Sequence, residues 1–147
     1  MSTKTILAAL DFSKFSPAVV TFAADFARRY DAALTFLHVA DEPNRMFPEG
    51  FVAVQPARAM ELFNLLELGL GDAKKEAVAA GVKTVHTLLV KGVPHAEIIE
   101  IAKTKGFDTI IVGTHSRQGV VHAVMGSVAE KIVRHAPCTV ITVREQG

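Results

Sequence analysis

Two rhythms of apolar residues alternate along the chain. Short unbroken runs, Thr5–Leu10 (TILAAL), Leu34–Val39 (LTFLHV), Thr109–Val112 (TIIV) and Thr139–Val143 (TVITV), read as strands covered on both faces. Val82–Val90 reads as a further strand with weaker alternation. Between these runs the apolar positions fall at helical spacing. Val19, Phe22, Ala23, Phe26, Ala27 and Tyr30 mark a first helix, with Ser16 as N-cap and Pro17 at the first helical position. Arg28 and Arg29 in its last turn complement the helix dipole. Ala57–Ala80 is helix-compatible but interrupted by Gly69 and Gly71, and Gly81 stops it. Gly92-Val93-Pro94 leads into a short helix that Gly106 ends. Ser127–Ala136 is the last helix, and Pro137 terminates it. Two long connections remain, Ala40–Pro56 and Gly113–Gly126, and long loops in a small domain usually carry function.

Five strands alternating with helices predict a single-domain α/β fold: an open parallel five-stranded sheet with helices on both faces, Rossmann-like; right-handed crossovers leave few strand orders, of which 3-2-1-4-5 is the one expected. Ligands of such sheets bind at the carboxyl ends of the strands, where the order reverses. The loop after the first strand (Asp11–Ser16) and the loop after the fourth (Gly113–Gly126) are expected to face each other there.

Composition narrows the class. Half of the 147 residues are apolar, as in an ordinary globular domain. Sixteen basic and fifteen acidic residues leave a net charge of +1, which gives no electrostatic reason to expect nucleic acid or a membrane surface as partner. No apolar stretch approaches the roughly 20 residues that span a bilayer. The N-terminal residues lead directly into the first strand without a signal-peptide pattern, and one cysteine, Cys138, excludes an internal disulfide. The expected compartment is the cytoplasm.

The chemistry concentrates between Gly113 and Ser127. A glycine ends a buried strand, and Gly126-Ser127 opens a helix, where free amides and the dipole favour an anion. Ser127 can donate a hydroxyl to a phosphate oxygen, and Arg117 is a candidate charge partner. The competing reading is structural, because Ser127-Val-Ala-Glu130 is also a capping box. The segment is neither a Walker loop nor a Rossmann fingerprint. Local chemistry alone leaves the two readings level.

The chain resembles the universal stress protein family over essentially its whole length. The nucleotide-binding branch of that family carries the motif G-x2-G-x9-G-[S/T]. Gly113, Thr114-His115, Arg117–Met125 and Gly126-Ser127 fit it, with Ser116 where the second glycine is expected. IIVGTHS, GSVAEKIVRHAPCTVITV and ILAALDFS are similar to the family's text around the motif and its first strand. The resemblance implies an adenine nucleotide as ligand, ATP with or without Mg2+, or ADP or AMP. It places Ala9 and Asp11 at the adenine and ribose end and the backbone of Val39 against adenine. Gly113, Thr114, His115 and Ser116 would wrap ribose and phosphates, while Gly126, Ser127 and Val128 would hold the phosphates. If the Ser116 position requires positive φ, the strain is roughly 1–2 kcal/mol, about tenfold in affinity. The resemblance also implies a regulatory stress-response protein that forms a homodimer through Thr139–Val143, an edge strand if it ends the sheet. The alternatives are a structural stress dimer that binds no nucleotide, and a slow ATPase in which Asp11 coordinates a metal or polarises water.

Other residues add less. Asp11 lacks the acidic neighbours of a receiver-domain phosphoacceptor. The six histidines are scattered without metal-ligand spacing. Cys138 reads as a structural thiol. Most of the stripe Leu62, Phe63, Leu65, Leu66, Leu68 and Leu70 is expected in the core, with an excess, alongside Met46, Phe47 and Phe51, that meets a second subunit or covers the pocket.

Overall fold

The computed structural model describes residues 3–14, 16–41, 56–114 and 125–144, with 56 and 57 described in their backbone only. Among the described residues nine elements alternate: β1 (Thr5–Ala9), α1 (Ser16–Tyr30), β2 (Ala33–Ala40), α2 (Pro56–Ala79), β3 (Val85–Lys91), α3 (Pro94–Thr104), β4 (Thr109–Gly113), α4 (Ser127–His135) and β5 (Thr139–Val143). The strands form one parallel sheet in the order β3-β2-β1-β4-β5, the expected order and one of the few that right-handed crossovers permit.

The sheet separates two cores. On one face Ile6, Ala8, Phe36 and Ile111 pack under α1 and α2 through Val19, Ala23, Leu70 and Ala77. On the other, Leu7, Leu37, Ile110 and Val112 pack under α3 and α4 through Ile98, Ile101, Ala129 and Ile132. Successive residues of β1 thus serve opposite layers, which is why the strand is apolar without a break. At the opposite end of the sheet from the switch-point loops, the Asp108 carboxylate accepts the Lys4 and Thr5 amides at 2.8 and 3.1 Å and joins β1 to the entry of β4.

Several local expectations change. The third strand starts at Val85, because Val82 is buried as the anchor behind α2, its amide bonded to the Ala77 carbonyl. α2 runs unbroken through Gly69 and Gly71. Of its leucine stripe only Leu70 is buried, Phe63 and Leu66 are half-buried, and Leu62, Leu65 and Leu68 are exposed. Arg28 and Arg29 both pair with Asp25 at 2.9 Å as well as lying near the helix end. The Arg28 hydrogen bond, helped by Arg29, holds the Asp25 carboxyl below its usual range against slight desolvation. Most of the Ala40–Pro56 connection, with Met46, Phe47 and Phe51, lies outside the described residues.

Candidate functional site

A cavity of about 440 Å³ opens at the carboxyl ends of β1, β2 and β4, where the strand order reverses and within the usual size of small-molecule sites. Ala9, Asp11, Val39, Gly113, Gly126, Ser127 and Val128 all line it. These residues come from both ends of the sequence. Thr114 does not line it but fastens it: its amide donates to the Val143 carbonyl at 3.0 Å, and its carbonyl accepts the Gly126 amide at 2.6 Å. The start of the β4–α4 connection is thereby brought to the N-terminus of α4. His115, Ser116 and Arg117 lie outside the described residues.

The α4 entrance decides between the two readings of Ser127. The N-cap is Gly126, not Ser127, and it makes no side-chain cap hydrogen bond. Glu130 pairs with Arg134 at 3.0 Å. The capping box is not formed, and among the described residues the N-cap gives the first amides of α4 no side-chain bond. Gly126 has φ −59° and ψ 154°, a conformation open to any residue. Its lack of a side chain is not needed for backbone geometry, which leaves close approach as its physical use.

The β1–α1 turn presents Asp11. Its Oδ1 accepts the Ser13 amide at 2.9 Å and the Ser16 hydroxyl at 3.0 Å, the geometry of an Asx turn. Ser16 is therefore the first helical residue, its hydroxyl spent on Asp11 rather than on a cap. Oδ2 takes part in neither bond. Phe12 has φ +56°, which turns the chain out of the sheet, and its ring lies 4.8 Å from the His38 ring and against Gly69 of α2.

The end of β2 has an open backbone. Leu10 N–H donates to the Leu37 carbonyl at 2.8 Å, and Gly92 N–H donates to the Ala40 carbonyl at 3.0 Å. Odd residues here face β1 and even ones face β3, so the Val39 backbone faces β1. The chain has left the sheet at that level, and among the described residues no backbone group pairs with the Val39 amide or carbonyl.

Ser13, Ser16, His38, Asp41, Pro94 and Ile98 also line the cavity. Sequence reasoning missed them as site residues. Only the position of Ser13 and Ser16 in the same loop as Asp11 gave any signal; the others arrive through sheet pairing. Among the described residues no group of His, Cys, Asp and Glu could hold a metal ion, and no helix is long and apolar enough to cross a membrane.

Comparison with known proteins agrees with this architecture. Residues 2–144 match the model of the universal stress protein family. The chain is 32% identical to a universal stress protein of Methanocaldococcus jannaschii, with 97% of this chain and 82% of that one covered. Among solved structures, hypothetical protein MJ0577 has a TM-score of 0.84 at 27% identity, covering 100% of this chain and 99% of that one. A universal stress protein of Archaeoglobus fulgidus, solved in complex with dAMP, shares the fold at TM-score 0.66 and 23% identity, with 97% and 98% covered. Another, solved in complex with cAMP, shares it at TM-score 0.70 and 22% identity, with 98% of each chain covered.

Proposed function

The chain belongs to the universal stress protein family, and on that premise we propose that it is a regulatory protein that binds an adenine nucleotide, ATP in the first instance, in the cavity at the β1–β4 switch point. The adenine lies against the Val39 backbone, the ribose beside Ala9 and Asp11, and the phosphates at Gly113 and at the start of α4, close against Gly126 and on the amides of Ser127 and Val128. The phosphates bind with or without Mg2+, the protein is cytoplasmic, and occupancy biases contacts in a homodimer built on β5.

One observation carries this reading. Two loops far apart in sequence converge on one cavity of about 440 Å³, and one of its walls is a helix N-terminus whose glycine N-cap makes no side-chain cap bond. The dipole and the amides at a helix start favour an anion. The dAMP and cAMP complexes of the two related folds support an adenine nucleotide as its source.

Calorimetric titration of the purified protein with Mg-ATP is expected to give a saturable heat and a raised melting temperature. No heat and no thermal shift at millimolar ATP would sink the assignment and leave a structural stress dimer. Gly126→Val suits the observed φ and ψ, so it is expected to keep the fold while weakening ATP binding about tenfold or more. Unchanged affinity would place the phosphates elsewhere. A slow ATPase predicts multiple-turnover ADP release that Asp11→Ala abolishes.

A further inference from the structure

In a continuing parallel ladder the Leu10 carbonyl would accept the Val39 amide, one step beyond the bond from Leu10 N–H to Leu37. That bond is absent, and the Leu10 carbonyl has a different partner. His38 Nδ1 lies 2.6 Å from it. A carbonyl only accepts, so Nδ1 carries the proton and donates. His38 is 3% exposed, and the Phe12 ring lies against its ring at 4.8 Å. Phe12, in its left-handed conformation, carries the chain away from β2 immediately beyond this point.

We propose that His38 is a positioning residue for base recognition: by taking up the Leu10 carbonyl, it leaves the amide and carbonyl of Val39 to read the edge of adenine. This deepens the adenine-nucleotide reading and rests on it. Adenine offers an acceptor at N1 beside a donor at N6. The Val39 amide donates to the first and its carbonyl accepts from the second. Guanine carries a donor at N1 and an acceptor at O6, which opposes both groups. A backbone held open in this way therefore selects ATP over GTP, because a buried polar group facing its own kind is left unpaired. His38 stands on β2 and Gly113 on β4, with β1 between them, so the effect is expected on the base rather than on the phosphates.

The test is calorimetric titration of wild type, His38→Leu and His38→Asn with ATP, GTP and inorganic tripolyphosphate. Leucine removes the donor and keeps apolar bulk. Asparagine places an N–H near the position of Nδ1. His38→Leu is expected to lose about tenfold in ATP affinity, with the ATP-to-GTP ratio falling toward one and tripolyphosphate binding unchanged. His38→Asn is expected to restore most of the ratio. If His38→Leu does not fold, His38→Gln replaces it, since its amide reaches the Nε2 position; equal ATP-to-GTP ratios in the Asn and Gln variants overturn the proposal. An unchanged ratio in His38→Leu, or an equal loss for tripolyphosphate, overturns it as well. Wild-type protein that binds no ATP removes the nucleotide reading and this proposal together. Wild-type binding with a ratio insensitive to His38 removes this proposal alone.

Discussion

Cys138 sits half-buried just before β5, packed against the core beneath α3 and α4. Burial, and secondarily the Asp108 carboxylate, push its thiol above its ordinary range. Both act against the thiolate, which is the reactive form. The structural reading of this cysteine follows from its surroundings, not from its being alone. The expected outcome is slow alkylation by iodoacetamide at pH 7.5, with a rate that is still rising at pH 9. A plateau at or below pH 9 would contradict it. The sign for stability follows by linkage: the folded state holds this proton more tightly than the unfolded state. The contribution is complete below the unfolded pKa and is lost as pH climbs through the folded one.

At the scale of an element, α2 separates what the sequence pattern carries from what it does not. Gly69 and Gly71 look alike in sequence and differ in space. A Cβ on Gly69 would lie 2.8 Å from Phe12 Cε1, whereas one on Gly71 meets nothing within 4 Å. Gly69→Ala is expected to lower stability by about 1–3 kcal/mol, since the Phe12 ring is held between Gly69 and His38. Gly71→Ala is expected to raise it by about 0.5–1 kcal/mol through helix propensity. Urea denaturation midpoints that move in the same direction for both would refute this account. The same helix shows why its leucine stripe was misjudged. Apolar count does not report burial when Leu62, Leu65 and Leu68 point away from the sheet. By contrast β1 and β4, buried on both faces, announce themselves as unbroken apolar runs, and the parallel sheet follows from the alternation, which with right-handed crossovers leaves few strand orders. The cavity was legible where it rests on loop glycines and on Asp11. It was illegible at His38, Asp41 and Pro94, whose roles depend on which strand lies beside which.

For the whole molecule, the two sheet edges differ. β3 carries His86, Thr87 and Lys91 and packs beside α2, the polar and covered kind of edge. β5 reads TVITV, without charge, at the other edge. The Val143 carbonyl accepts the Thr114 amide, so the backbones of Thr139, Ile141 and Val143 face β4 and those of Val140 and Thr142 face outward. A twofold pairing of β5 with its copy would use the outward groups. Thr142→Pro therefore removes a donor that β4 does not use, and it is expected to shift sedimentation from dimer to monomer while the far-ultraviolet circular dichroism stays native. Ile141→Pro removes a donor that faces β4 and is expected to destabilise the fold itself. The Thr114 clasp joins this edge to the cavity proposed to hold the nucleotide, because the residue that bonds Val143 also holds Gly126 at the head of α4. Such a connection makes coupling reciprocal: if ATP tightens the dimer, dimerisation tightens ATP by the same factor. Wild-type dimer dissociation constants with and without ATP are expected to differ, and Thr142→Pro to bind ATP more weakly by the matching ratio. A dimer indifferent to ATP would mean that the clasp holds the loop in place and transmits nothing to the edge.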